Sequence, residues 1–110
     1  MNRTTYLGEL EHMILLVVLG QGDDAYGMSI REHLGARVGR KISRGATYMT
    51  LERLVRKGYL VARMGDPSPE RGGRARRYFT LSAKGRKALR ESGRALLQLW
   101  SGHEALLEER

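Results

Sequence analysis

The sequence predicts a mainly α-helical fold with one small β-hairpin, closed by a long C-terminal helix. Three observations lead there. Four segments carry apolar residues at helical spacing, and two short alternating runs flank a loop that holds both prolines. At 110 residues the chain is one domain, long enough to bury roughly two-thirds of its unfolded surface but too short for two cores.

The first helix is predicted from Tyr6 to Leu19, where Leu7, Leu10, Ile14, Leu15, Val17 and Val18 recur on one face, and it ends before Gly20. The segment GQGDD is a turn, with Asp24 placed to cap a second helix, AYGMSIREHLGARV. Tyr26, Ile30 and Leu34 share a face of that helix, and Gly35 and Gly39 bring it to a close. Ser43 caps a third helix, predicted over about 44–57. Its wheel puts Tyr48, Leu51, Leu54 and Val55 towards the core and Ala46, Met49, Thr50, Arg53, Arg56 and Lys57 outwards, with Glu52 on the flank.

After Gly58, YLVARMG alternates as a strand does, and so does RRYFTL further on. Between them DPSPERGGRAR gathers both prolines, two glycines and three arginines, the composition of a β-hairpin with a basic tip at about 65–76. Ser82 caps the last helix, expected to run for about 25 residues with Leu89, Leu96, Trp100, His103 and Leu107 in one stripe. So long a helix exceeds what the rest of the domain covers, and part of its stripe is expected to meet a second copy of the chain. The chain thus divides into a compact unit, 1–81, and a dimerisation helix, 82–110.

Charge adds function to this plan. Residues 1–30 carry one Lys/Arg against four acids, residues 31–77 thirteen against four, and residues 78–110 six against four. A positive field concentrated in the middle third fits a polyanion better than a generally basic, solubilising surface does. The absence of cysteine excludes disulfides and thiolate zinc sites. His12, His33 and His103 are isolated in sequence, without the spacing of a metal site. The segment MILLVVLGQGDDA imitates a strand entering a dinucleotide-binding turn, but no β-α alternation follows it and Asp23 and Asp24 would repel a pyrophosphate. No nucleophile has a visible base partner, so neither an enzyme nor a cofactor is expected. The longest apolar run, Met13 to Leu19, is far short of the ~20 residues that cross a bilayer, and the expected compartment is the cytoplasm.

Helix, helix, helix, hairpin and long helix, with the basic helix third, is the winged helix-turn-helix plan. Residue by residue the chain resembles the PadR family of bacterial transcription regulators in its short form. The carriers are LGELEHMILLVVL, AYGMSI, GATYMTLERLVRKGYL and GGRARRYFTLSAKGRKAL, in that order from Leu7 to about Leu99. One departure is Met49, where the family usually has proline, which bears on base preference and on where the recognition helix starts. The resemblance implies a homodimeric repressor on a pseudo-palindromic operator, released by a small molecule.

A major groove admits one helix, whose outward side chains meet base edges while basic groups meet phosphates. The expected DNA contacts are Arg44, Thr47, Met49, Thr50 and Arg53, with the Tyr48 ring in the core and its hydroxyl reaching a phosphate. In the wing, Arg71, Arg74 and Arg76 would follow the backbone or enter the minor groove. Trp100, with Leu96 and Leu89 on its stripe, is expected at the dimer interface, either as packing or as one wall of a slot for a flat aromatic or cationic effector. Two rival functions use the same charge: a nucleoid-associated or RNA-binding structural protein that does not read sequence, and an adaptor for an acidic protein.

Overall fold

The computed structural model describes residues 7–110, so Tyr6 lies outside the described residues. Helix α1 spans Glu9–Gln21, α2 Gly27–Val38, α3 Arg44–Arg56 and α4 Ala83–Trp100, with strands β1 at Leu60–Met64 and β2 at Arg77–Leu81. The strands pair antiparallel, with Leu60 opposite Leu81, Ala62 opposite Phe79 and Met64 opposite Arg77. Ile14, Leu15 and Val18 of α1, Ile30 and Leu34 of α2, Leu51 and Leu54 of α3, Phe79 of β2 and Leu89 of α4 converge on one core. Each large aliphatic side chain so buried contributes about 1.5–3 kcal/mol against exposure.

Local chemistry sets the helix starts. The Ser43 hydroxyl accepts the Ala46 N–H at 3.0 Å, and the Ser82 hydroxyl accepts the Gly85 N–H at 2.9 Å. Both expected caps are present. Replacing Ser43 by Ala is expected to cost about 1 kcal/mol, read as a lower urea midpoint at unchanged slope. The α2 cap differs from the expectation. Asp24 sits in a short 3-10 turn, Gly22–Asp24, and the N-cap is Tyr26, whose N–H donates to the Ser29 hydroxyl at 3.0 Å. The hairpin causes this shift: the Phe79 N–H donates to the Ala25 carbonyl at 2.9 Å, and Tyr26 bridges Tyr78, so the chain stays extended for two more residues before it coils.

Helix ends were less legible. Helix α1 runs through Gly20 and stops at Gly22, whose φ of 63° the side-chain-bearing residues before it would resist. The last helix is 18 residues rather than about 25: it ends at Trp100, Gly102 takes a φ of 91°, and a 3-10 turn follows at Glu104–Glu108. His103 and Leu107 therefore leave the helical stripe on which their spacing placed them.

Candidate nucleic-acid interface

Helix α3 is rotated from the predicted wheel. Its buried residues are Thr47, Thr50, Leu51 and Leu54, an i, i+3, i+4, i+7 stripe. Thr47 is 0% and Thr50 4% exposed, which corrects the placing of Thr50 on the outward face and of both among the expected DNA contacts. The Thr47 hydroxyl tolerates burial by donating to the Ser43 carbonyl at 2.9 Å. Tyr48 takes the opposite side, 39% exposed, and Met49 is 66% exposed. The Tyr48 ring lies over Gly27 at the start of α2 so closely that a Cβ on Gly27 would collide with the phenol. Absence of one side chain in α2 is thus what lets the tyrosine lie flat outside the core, and its place in the core stripe goes to threonine.

The exposed face of α3 carries Arg44, Tyr48, Met49, Glu52, Arg53 and Arg56, and five of these residues, all but Arg44, line a shallow hollow of about 410 Å³. Because α3 begins at Arg44, Met49 falls in the second turn of an uninterrupted helix. Glu52 forms an ion pair with Arg77 at the head of β2, tying the helix to the hairpin.

Alongside lies a second, larger cleft of about 600 Å³ between α3, the start of α2 and the hairpin. Tyr26, Tyr48, Arg71, Arg74, Arg76 and Arg77 are among the residues that line it. In the loop, Arg71 Nη2 donates to the Asp66 carbonyl at 2.8 Å, and Arg74 Nε donates to the Arg71 carbonyl at 3.2 Å. These bonds shape the loop while leaving most of the five N–H groups of each guanidinium for a ligand. The three hairpin arginines singled out in the sequence therefore share one cleft with Tyr48. Sequence reasoning missed Tyr26, Glu52 and Arg77, which belong to the same surface. Arginine and tyrosine interleaved in RARRY marked the hairpin side, but nothing local connects it to Tyr26, some fifty residues earlier.

Behind this surface an ion pair holds the end of α3. The Glu11 carboxylate, buried in α1, accepts from Lys57 Nζ at 2.7 Å and from the Gly8 N–H at 2.9 Å. Burial pushes its pKa upward, but the Lys57 and Gly8 hydrogen bonds and the positive charges of Lys57 and Arg53 outweigh it and hold the group below its ordinary 4.5. A carboxylate depressed in the folded state stabilises the fold fully above its unfolded pKa, and that contribution is lost as pH falls through the lower folded value. Glu11→Gln is thus expected to cost about 2 kcal/mol at neutral pH and to flatten the loss of stability below about pH 4.5, seen in urea midpoints across pH.

The predicted C-terminal site is only partly assembled. Leu89 is buried in the core of its own chain and is unavailable to a partner, which corrects its assignment. Leu96 lines an apolar groove of about 450 Å³ between α1 and α4, together with Leu7, His12, Met13, Ala95 and Leu99. Trp100 lies outside it. His12 Nδ1 is 2.8 Å from the Ser92 hydroxyl across the groove floor, and burial lowers the histidine pKa. Among the described residues no His, Asp or Glu cluster could hold a metal, and no helix is long and apolar enough to cross a membrane.

Comparison with known proteins agrees with this architecture. A profile of the transcriptional regulator PadR-like family matches residues 15–91. The PadR-like transcriptional regulator of Bacillus cereus strain ATCC 14579 shares the fold at a TM-score of 0.72 and 23% identity, over 92% of this chain and 93% of that one. A Streptococcus transcriptional regulator superposes at 0.70 with 26% identity, over 88% and 90% of the two chains. A PadR family regulator from Eggerthella lenta DSM 2243 superposes at 0.67 with 28% identity, over 93% and 88%. No curated protein matches the sequence. With most of its length inside the family profile and its helices and hairpin in the family's arrangement, the chain belongs to the PadR-like transcriptional regulators, a family of DNA-binding proteins and not of enzymes.

Proposed function

We propose that the protein is a sequence-specific DNA-binding repressor that acts in the cytoplasm as a homodimer on a pseudo-palindromic operator. The observation that carries this reading is the exposed Arg44, Tyr48, Met49, Arg53 and Arg56 face of α3 beside the arginine-lined cleft of the hairpin. In this reading helix and hairpin enter neighbouring grooves, with Met49 against a thymine methyl and Arg44 or Arg53 on guanine. Thr47 and Thr50 have no part in that contact, being buried.

Dimerisation is supported by the second half of α4. Leu97 and Leu99 are 72% and 74% exposed, Leu96 is open beside them, and Leu106 and Leu107 are exposed beyond the helix. The radius of gyration of 15.7 Å exceeds the roughly 13 Å of a compact chain of this length, as expected when one arm projects towards a partner. Release by a flat aromatic molecule, stacked on Trp100 and its symmetry mate, completes the proposal. Trp100 is the single tryptophan, so planar dyes that bind there quench the whole indole fluorescence, and dyes that bind without quenching place the site elsewhere.

Selection of bound sites from a random duplex library tests the main claim. Two half-sites about one helical turn apart, or a multiple of it, are expected. If two subunits neutralise ~6–10 phosphates, log affinity falls against log salt with a slope of roughly −5 to −9. A ratio of specific to random affinity near one would favour the nucleoid-associated or RNA-binding alternative. Binding to an acidic protein with no shift of duplex DNA would favour an adaptor.

A further inference from the structure

The geometry points to Tyr26 as a positioning residue: its ring holds the Arg76 guanidinium in the cleft between α3 and the hairpin, where the phosphodiester strand dividing a major groove from the next minor groove would lie. This inference rests on the DNA-binding reading above and adds the backbone contact and the residue that prepares it.

The Arg76 guanidinium carbon stands 3.8 Å from the centroid of the Tyr26 ring. That ring meets Tyr78 edge-on at 5.9 Å and 75°, and Arg63 covers Tyr78 at 4.7 Å. The ladder Arg76, Tyr26, Tyr78, Arg63 is pinned at its far end, where Arg63 Nη2 donates to the Asp23 carbonyl at 3.0 Å. Gly65 leaves the space that Tyr78 needs, since a Cβ there would press on the ring. The Tyr26 backbone is fixed as well, by its bond to Ser29, its bridge to Tyr78 and the Ile30 N–H on its carbonyl. A platform tied at so many points presents Arg76 in one place.

Stacking occupies the face of a guanidinium and leaves its edge, where the N–H donors lie in a fork that matches two phosphate oxygens. Among the described residues Arg76 has no carboxylate partner, whereas Arg77 beside it is paired with Glu52. Named lining residues of the cleft include four arginines and two tyrosines and no acid. A helix in one groove and a hairpin in the next must straddle the sugar-phosphate strand between them, so the cleft separating the two elements receives a diester.

The test uses the full chain on a duplex recovered by selection. Arg76→Gln is expected to weaken binding about tenfold at ~0.1 M salt and to make the salt slope shallower by about 2 for the two subunits. Tyr26→Ala should do the same with Arg76 intact, the double variant should be no worse than either single one, and Tyr26→Phe, which keeps the ring face, should bind as wild type. An unchanged slope in folded Tyr26→Ala, or additive losses in the double variant, overturns the inference. Should Tyr26→Ala not fold, a scan with uncharged methylphosphonate at each phosphate decides: one position per half-site should weaken the wild type while leaving Arg76→Gln indifferent. Wild-type binding to the duplex with no such coupled phosphate sinks the inference alone, whereas no binding to any duplex sinks the DNA-binding reading itself.

Discussion

Arg53→Ala is expected to weaken binding of the proposed dimer to a selected duplex by about 30-fold or more and to relax base preference at one position in each half-site. Arg53 is exposed in the middle of the outward stripe Met49, Glu52, Arg53, Arg56, and no hydrogen bond or ion pair engages its guanidinium among the described residues. A bidentate arginine on guanine discriminates by about 1–3 kcal/mol, and a twofold dimer loses that contact twice. Loss of Arg74 from the hairpin should behave differently, weakening specific and random duplexes alike, because a phosphate carries no sequence. Equilibrium binding to the selected operator and to random duplex, measured side by side, separates the two. If Arg53→Ala lowers both affinities by the same factor, Arg53 touches only the backbone and the base contact passes to Arg44 or Met49.

The second large effect concerns α4. Gly85→Ala is expected to destabilise the protein by about 3 kcal/mol, although alanine is the better helix former by about 1 kcal/mol. Gly85 is buried in the first turn of α4, and a Cβ there would run into the Tyr59 carbonyl with Leu81 Cδ1 at 3.0 Å on another side. That carbonyl cannot retreat easily. It accepts the Ser82 N–H at 3.1 Å, the Ser82 hydroxyl donates to the Gly58 carbonyl at 2.6 Å, and Lys84 Nζ reaches the Lys57 carbonyl at 2.9 Å. Gly93→Ala in the same helix provides the contrast. Its Cβ would meet only His12 Cε1, at an ordinary 4.0 Å, so the helix-propensity gain should appear as about 0.5–1 kcal/mol of added stability. Urea midpoints of the two variants should move in opposite directions. Equal destabilisation would mean that α4 does not approach Tyr59 as closely as described.

These close approaches show why some features were legible in the sequence and others were not. Helical periodicity, strand alternation and the prolines between strands operate over a few residues, so four helices and one hairpin could be placed without coordinates. Ser43 and Ser82 were legible for the same reason, since a cap hydroxyl and the N–H it accepts are three residues apart. Arginine clustering was visible too, and the structure gathers Arg71, Arg74 and Arg76 around one cleft. Asp24 misled because capping chemistry competes with strand pairing to a hairpin more than fifty residues away.

By itself, then, the sequence determined the kind and order of the elements, the family, and the positive middle third, because each follows from neighbouring residues or from composition. Only tertiary structure decided how α3 is rotated and which side chains it shows. Threonine fits either a core or a surface, and the choice between Thr47 and Tyr48 turns on the space above Gly27 in another helix. It also decided that Leu89 belongs to its own chain's core and that Tyr26 stacks on Arg76. Contacts between distant residues depend on how whole elements pack, and no periodicity along the chain encodes them.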